Sequence, residues 1–276
     1  MSTQTFVHPS AVVEPGATLG SGVHVGPFCH VGADATLGDG VHLAGHVSVI
    51  GVTTIGAGTK VQAFSALGGP PQDTKHKGGR TTLNVGANCD IRESVTMHSG
   101  SDTGRGATMV GDNGFFLAYS HVAHDCIVGD NVTLTNGATL GGHCEVGDQV
   151  IVGGLTAVHQ FVRIGRRAFL GGCSAVVGDV IPYGMAVGNR AKLRGFNVVG
   201  LKRAGMSRSE LATLREAYRL LFSTGRPLAE NAEAARARFT DMPAVIEIVD
   251  FITSRGKRHF AVPPLGDDGD AGDDRG

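Results

Sequence analysis

The sequence predicts a mainly β fold, a solenoid of hexapeptide repeats followed by a helical region. The 276 residues include 43 glycines, only three tyrosines and no tryptophan, although 41% of them are hydrophobic. Small aliphatic residues with many glycines favour a repeat architecture with frequent tight turns over an aromatic-rich core. The other two observations are a period of six residues and the end of that period near Pro182.

One large apolar residue in each repeat sets the period of six. It recurs from Val7 to Leu67, from Val85 to Met97 and from Val110 to Val176, which gives 26 repeats in one register. We expect each repeat to supply one short strand and one turn, and three repeats to close a triangular coil, giving roughly nine coils. Stacked coils bury a narrow continuous core.

Two insertions interrupt the repeats. We therefore place the solenoid domain at 1–187, with external loops at 69–82 and 99–108. Solenoids carry their insertions as outer loops, commonly around binding faces.

Helical periodicity then replaces the period of six, and we predict a helical domain over 188–260. A capping-box pattern begins at Ser207, and Pro227 and Pro243 are suited to begin two further helices. The remaining stretch, 261–276, is rich in Pro, Gly and Asp, which predicts a disordered acidic tail.

Charge and cysteine content narrow the function classes. The net charge is −1, so bulk charge predicts no nucleic-acid partner, but residues 160–226 hold twelve Lys/Arg against three Asp/Glu. This excess predicts a surface for anionic ligands. We find no signal peptide and no apolar run long enough to span a membrane, and the five cysteines form no CxxC pair. We expect a cytoplasmic protein.

Repeat spacing brings polar residues together. Residues 18 apart occupy the same position on successive coils, about 4.8 Å apart. His124, Gly142 and Gln160 are spaced in this way and form one predicted column. Adjacent positions hold further polar residues: His121, Asp125, His143 and His159.

This column predicts acid–base chemistry. A carboxylate beside an imidazole orients the ring and stabilises its charged form, so His124 next to Asp125 is the expected general base. A hydroxyl group is too weak an acid to attack a thioester unaided at neutral pH, and imidazole is suited to take its proton. The Gly142 amide, unobstructed by a side chain, is an expected oxyanion donor.

The chain resembles the UDP-N-acetylglucosamine acyltransferases, the first enzymes of lipid A biosynthesis, over roughly residues 5–260. The motifs that carry the resemblance are PQDTKHKG at 71–78, IRESVTMH at 91–98, HVAHDC at 121–126, GGHCEVGD at 141–148, GGLTAVHQF at 153–161 and GNRAKLRGFNVVGLKR at 188–203.

The resemblance implies a left-handed parallel β-helix, a homotrimer and active sites in clefts between subunits. It implies transfer of an (R)-3-hydroxyacyl group from acyl carrier protein to the glucosamine 3-hydroxyl of UDP-N-acetylglucosamine, with no metal and no cofactor beyond the carrier's phosphopantetheine. His124 would be the general base, Asp125 its orienting group and the Gly142 amide the oxyanion donor. Basic residues after Gln160, such as Arg166, would dock the acidic carrier.

The resemblance also implies two sets of substrate contacts. Those to sugar or phosphate are Asp73, Lys75, His121 and His143. Those around the acyl chain, phosphopantetheine or UDP are His159, Gln160, Asn197 and Arg203. Gly172 is implied at the floor of the acyl groove, where a missing side chain leaves room for a long chain. Ser99 and Ala204 depart from the family, in which arginine is common at both positions.

Two alternatives remain open. The first is a γ-type carbonic anhydrase, another left-handed β-helix enzyme, with zinc held by histidines such as His121, His124 and His143. It leaves the basic helical region and the PQD loop unexplained. The second is a non-catalytic scaffold, which leaves the polar column unexplained. Metal analysis and a sugar-nucleotide binding assay separate these alternatives from an acyltransferase.

Overall fold

The computed structural model describes residues 4–223, 225–254 and 256–264. Its repeats form a three-sided parallel β-helix, and each of the 26 repeats supplies one of the strands β1–β26. Neighbouring strands in a sheet come from successive coils, as in the pairing of His121 with Thr139 and then of Thr139 with Ala157. The predicted parallel solenoid is confirmed.

The strands form three sheets, labelled A, B and C. Sheet A contains β1 (Phe6–Val7), β4 (His24–Val25), β7 (His42–Leu43), β10 (Lys60–Val61), β13 (Asp90–Ile91), β16 (Phe115–Phe116), β19 (Thr133–Leu134), β22 (Ile151–Val152), β25 (Phe169–Leu170), β27 (Gly184–Val187) and β28 (Lys192–Phe196). Sheet B contains β2 (Val12–Val13), β5 (His30–Val31), β8 (Ser48–Val49), β11 (Ala66–Gly69), β14 (Thr96–His98), β17 (His121–Val122), β20 (Thr139–Leu140), β23 (Ala157–Val158) and β26 (Ala175–Val176). Sheet C contains β3 (Thr18–Leu19), β6 (Thr36–Leu37), β9 (Val52–Ile55), β12 (Thr82–Val85), β15 (Ala107–Val110), β18 (Ile127–Val128), β21 (Glu145–Val146) and β24 (Arg163–Ile164).

The apolar residue of each repeat fills the interior of the helix. Val31, Leu37 and Leu43 are at most 1% exposed, and burying such a side chain contributes about 1.5–3 kcal/mol. Val7 is 40% exposed because its coil is the first and has no coil beneath it. The core is therefore a continuous stack whose first coil is more exposed than the coils that follow it.

Both insertions leave the helix at one corner, between sheets B and C, which we call the site corner. The loops are shorter than predicted, 70–81 and 99–106, because their end residues still pair with neighbouring coils. Gly69 pairs with His98, and Thr82 pairs with Ala107. The two loops therefore rise side by side from adjacent coils.

The predicted helical domain over 188–260 begins with a strand. β28 pairs antiparallel with β27 and closes the open end of sheet A. The described residues then form four helices: α1 (Val198–Arg203), α2 (Arg208–Leu221), α3 (Leu228–Arg238) and α4 (Pro243–Thr253). The capping box at Ser207 is present, and Pro243 occupies the first turn of α4.

The chain after α4 returns to the β-helix. The Asp179 amide donates to the His259 carbonyl, and the Ala261 amide donates to the Asp179 carbonyl, each at 2.8 Å. Ala261 is 5% exposed, so the packed chain extends beyond the boundary at 260 from which the sequence predicts a disordered tail. The rest of that predicted tail, 265–276, lies outside the described residues. Among the described helices, none has the length and apolar character needed to cross a membrane.

Candidate active site

The centre of the site corner is the carboxylate of Asp125, which is fully buried at a tight turn with a φ of 60°. The amides of Arg105 and Gly106 donate to its Oδ1 at 2.8 and 2.9 Å. The Ser101 hydroxyl donates to Oδ2 at 2.6 Å, and the Ser101 amide lies 3.1 Å from both oxygens. All these donors come from the loop 99–106, so this loop forms a cage around the carboxylate.

The cage keeps Asp125 ionised. Burial acts to raise the pKa of Asp125, but hydrogen bonds from Ser101 and His124 hold that pKa below its ordinary value. The His124 Nδ1 lies 2.8 Å from Oδ2. A charged carboxylate favours the tautomer with the proton on Nδ1, which leaves Nε2 as the base. The expected pairing of His124 with Asp125 is therefore present, and its geometry is suited to general-base chemistry.

Gly142 provides the space for the His124 ring. A Cβ atom at residue 142 would lie 2.6 Å from both Cε1 and Nε2 of His124. The structure thus gives this glycine a steric role that the sequence did not predict. No hydrogen bond among the described residues uses the Gly142 amide, which leaves it available as a donor.

A stack of rings continues the site along the next coils. The His143 ring lies face to face with Phe161 at 4.4 Å and edge-on to His124 at 5.0 Å. The Lys257 ammonium lies 4.2 Å from the centre of the Phe161 ring. Burial lowers the pKa of His143, against the raising effect of Asp125. Phe161 and Lys257 are site residues that the sequence did not identify.

His121 occupies a drier position on sheet B. Its Nδ1 lies 2.7 Å from the Thr96 hydroxyl, and its ring meets His98 edge-on at 4.9 Å. Burial lowers the pKa of His121 to about 4, with a further lowering by His98. His121 is therefore neutral at physiological pH.

A cavity of about 830 Å³ opens beside the His124–Asp125 pair. It contains five of the predicted substrate or catalytic residues: Asp73, Lys75, His124, His143 and Gln160. The other lining residues are Gln72, Thr103, Gly104, Arg105, Glu145, Phe161, Arg163, Gly256 and Lys257. His159 lies next to this cavity, where Arg258 bonds its Nδ1 at 2.5 Å and the Gln160 carbonyl at 2.9 Å. The cavity therefore joins the repeats, the loop 70–81 and the chain after α4.

Comparisons with known proteins give the family. A relative from Mesorhizobium japonicum, named acyl-acyl-carrier-protein–UDP-N-acetylglucosamine O-acyltransferase, is 66% identical over 275 residues, or 99% of each chain. The chain belongs to this acyltransferase family. A relative of the same name from Brucella ovis is 53% identical over 262 residues, covering 95% of this chain and 94% of the relative.

Family profiles and a solved structure agree. A profile described as UDP N-acetylglucosamine O-acyltransferase domain 2 matches residues 179–260. A second profile, described as bacterial transferase hexapeptide (six repeats), matches residues 16–51. A solved UDP-N-acetylglucosamine acyltransferase from Campylobacter jejuni is 39% identical with a TM-score of 0.88, covering 94% of this chain and 100% of the other. The chain is an O-acyltransferase, and the predicted left-handed β-helix is confirmed.

Besides His121 and His159, three predicted binding residues of this acyltransferase do not line the cavity of the single chain. Asn197 caps α1 by accepting from the Gly200 amide at 3.0 Å. Arg203 is exposed in the last turn of the same helix. Gly172 lies at the corner between sheets A and B, where the next residue, Cys173, donates to the Gly154 carbonyl. One chain therefore does not bring these residues to His124.

The arginines expected to dock the carrier also make contacts within the acyltransferase. Arg163 donates to the buried Asp179 through its amide at 2.8 Å and its Nε at 2.7 Å. Arg166 pairs with Glu247 of α4 at 2.7 Å. Arg167 donates to the Gln149 side chain at 2.6 Å. Each of these arginines therefore has a partner within the chain, and docking of the carrier through them stays a prediction.

The two departures from the family have different settings. Ser99 is 6% exposed at the base of both loops, where its amide and hydroxyl donate to the Gly69 carbonyl at 3.0 and 3.3 Å. A small residue fits this buried position. Ala204 ends α1 and donates to the Gly200 carbonyl at 3.0 Å.

The site also contains a group with metal-ligand character. One atom each from His124, Asp125 and His143 lie within 4.8 Å of one another. Both oxygens of Asp125 already accept hydrogen bonds from the cage, and His124 Nδ1 faces Oδ2. A metal would have to replace these contacts. The donor set therefore fits an oriented acid–base pair better than a zinc site.

Proposed function

We propose that the chain transfers an (R)-3-hydroxyacyl group from acyl carrier protein to the glucosamine 3-hydroxyl of UDP-N-acetylglucosamine, the first step of lipid A biosynthesis. The observation that carries this proposal is the His124–Asp125 pair, at 2.8 Å, opening into a cavity that also contains Lys75 and Lys257. The pair supplies the base for an alcohol, and the lysines supply positive charge for a diphosphate.

His124 acts first as base and then as acid. Nε2 takes the proton from the sugar 3-hydroxyl while that oxygen attacks the thioester carbonyl, and the carbonyl electrons move onto oxygen. As the intermediate collapses, the carbon–sulfur bond breaks and the imidazolium returns the proton to the leaving thiolate. The Asp125 carboxylate stabilises the imidazolium through Nδ1. General-base assistance of this kind contributes about 10²–10⁴-fold in rate.

The Gly142 amide serves as the oxyanion donor in this scheme. It has no hydrogen-bond partner among the described residues, and a Cβ on the same glycine would lie 2.6 Å from Nε2 of His124. The other expected contacts, His121, His143, His159 and Gln160, surround the sugar and acyl carrier. No metal or bound cofactor takes part, since the acyl group arrives on the carrier's phosphopantetheine. The reaction takes place in the cytoplasm.

The working enzyme is a homotrimer. An exposed apolar ridge runs along the corner between sheets A and B, where Phe28, Phe64, Tyr119 and Leu155 are 61–71% exposed. Apolar surface of this kind favours cover by a partner, and a second copy of the chain is the partner proposed here. Gly172 lies on the same corner and would meet the cavity of a neighbouring subunit, which accounts for its position outside its own cavity.

Product analysis tests the reaction. The purified chain is incubated with UDP-N-acetylglucosamine and a series of (R)-3-hydroxyacyl carrier thioesters, and the masses of the products are measured by mass spectrometry. We expect a single ester, formed fastest from a long donor; its release by hydroxylamine distinguishes it from the amide given by a 3-amino sugar. Stoichiometric zinc with carbon dioxide hydration, or sugar-nucleotide binding without turnover, would instead support the two alternatives.

Sedimentation tests the assembly. We expect a trimer for the wild type, and a smaller and inactive species when Phe64→Glu and Leu155→Glu are combined. A monomeric wild type with full activity would contradict the shared site.

A further inference from the structure

The two insertion loops of the site corner are joined by the side chain of Asp102. Its Oδ2 accepts from the amides of Lys77 and Gly79 at 2.9 and 3.2 Å. Its Oδ1 lies 3.2 Å from His76 Nδ1. A Cβ on Gly79 would lie 2.7 Å from the Asp102 Cβ, so the glycine permits this close approach. One carboxylate of the loop 99–106 therefore contacts three residues of the loop 70–81 within a span of four.

Asp102 is next in sequence to Ser101, which belongs to the cage of Asp125. Ser101 is fully buried, and its hydroxyl donates to Asp125 at 2.6 Å. On the other side, His76 follows Lys75, and the Lys75 amide donates to Asp73 at 3.0 Å. Hydrogen bonds and peptide bonds thus connect Asp73 and Lys75, through His76, Asp102 and Ser101, to the His124–Asp125 pair.

We propose that Asp102 is a positioning residue, which holds Asp73 and Lys75 in register with the His124–Asp125 pair for binding the sugar nucleotide. This inference rests on the proposed function. Asp73 and Lys75 line the cavity, but their loop has no regular secondary structure to fix it. Charge-assisted hydrogen bonds to Asp102 order the loop before the substrate arrives. A preordered loop pays less conformational entropy on binding.

Burial and charge agree with this role. The side chains of His76 and Asp102 are 12% and 25% exposed, so the contact is shielded from most of the solvent. The hydrogen bond from the Lys77 amide lowers the pKa of Asp102. Burial opposes this effect, but the hydrogen bond from the Gly79 amide adds to it, so the pKa lies below its ordinary value. The carboxylate is therefore charged under the conditions of the reaction.

The test separates binding from chemistry. Asp102→Ala releases the loop 70–81 but leaves Ser101 and the cage in place. We expect the KM for UDP-N-acetylglucosamine to rise about tenfold, with kcat and the KM for the carrier-bound donor within about twofold of wild type. Ser101→Ala disturbs the cage instead, and we expect it to lower kcat with little change in the sugar-nucleotide KM.

Asp34→Ala is the matched control. Asp34 also pairs with the loop 70–81, through Arg80 at 3.4 Å, but both side chains are more than half exposed. Pairs of this kind contribute little, so we expect wild-type kinetics. Hydrogen exchange gives a second measurement: the amides of Lys77 and Gly79 should exchange faster in Asp102→Ala, while those of Arg105 and Gly106 stay protected.

The outcomes distinguish the two proposals. An unchanged sugar-nucleotide KM in Asp102→Ala, or equal losses in kcat and in both KM values, would overturn the positioning role. Unchanged exchange at Lys77 and Gly79 would overturn it as well. A wild-type enzyme without turnover of UDP-N-acetylglucosamine would contradict the proposed function itself, before any variant is compared.

Discussion

Two fully buried aspartates, Asp125 and Asp179, lie in different regions of the β-helix and have opposite surroundings. Asp125 is surrounded by backbone amides and a hydroxyl, with Nδ1 of His124 at 2.8 Å and Nδ1 of His143 at 3.8 Å. Asp179 faces Arg163, whose guanidinium also lies 4.5 Å from the centre of the Phe251 ring of α4. The first aspartate orients a histidine that lines a cavity, and the second joins the C-terminal region to the repeats.

The pKa shifts of the two carboxyls differ in sign. Burial raises the pKa of Asp179, and the hydrogen bonds of Arg163 only partly oppose it. Burial also acts on the pKa of Asp125, but there the surrounding donors prevail and lower it. The amides and the hydroxyl around Asp125 are fixed dipoles that stabilise its negative charge without an ion pair, so His124 remains free to react. An arginine partner gives a permanent link. Buried charge alone therefore does not identify a catalytic group.

The largest effect is expected at His124, the partner of the first aspartate. His124→Ala should lower kcat by about 10³-fold or more, because the base is lost. The fold should persist, since the His124 side chain lies on the outside of its turn and is 12% exposed. Turnover assays with circular dichroism measure both quantities, and His30→Ala, on the exposed face of sheet B, is the control. Wild-type kcat in His124→Ala would exclude the proposed base.

The second effect is expected in stability. Asp179→Ala leaves Arg163 without its buried partner, and breaking such a pair costs about 3–5 kcal/mol. We expect the free energy of unfolding in urea to fall by that amount, while kcat per folded molecule stays within about tenfold. A variant with full stability but no turnover would reverse the roles assigned to the two aspartates.

The repeats and the histidine column could be predicted because they depend on counting alone. A period of six with three strands per coil places His124 beneath Gly142, independently of how the loops 70–81 and 99–106 fold. The same counting could have corrected the predicted position of Gly172. It lies twelve residues after Gln160, which is two of the three sides of a coil, so it belongs to a different corner.

The loops and the ion pairs have no such period. Ser101 and Asp102 lie in an insertion, where no repeat fixes their neighbours, so their contacts with Asp125 and Lys77 could not be deduced. The ion pair of Arg166 could not be deduced either, because its partner, Glu247, is 81 residues away. A basic run in the sequence does not reveal which charges are already paired.

A third effect concerns pH. The pKa of His121 is lowered to about 4 from 6.5. Between these values the unfolded chain binds a proton that the folded chain does not, so stability falls as the pH decreases from 6.5 to 4 and is fully retained above 6.5. His121→Gln should remove roughly 1–3 kcal/mol of this loss, after allowance for partial exposure. Urea midpoints of the wild type and of His121→Gln at pH 7 and 4.5 measure this loss. An equal change in midpoint for the two proteins would contradict the lowered pKa of His121.

The smallest effect tests whether space at the site corner matters as much as charge. Gly142→Ala keeps the amide but adds a Cβ 2.6 Å from Cε1 and Nε2 of His124, so the ring must shift from its position. A displacement of this size is expected to lower kcat about tenfold, with stability changed by less than about 1 kcal/mol. Gly45→Ala is the control, since its Cβ would lie 3.3 Å from the Pro27 carbonyl oxygen, on another corner. If Gly142→Ala retained wild-type kcat, the His124 ring would not depend on this glycine, and the oxyanion role of its amide would be the only one left to test.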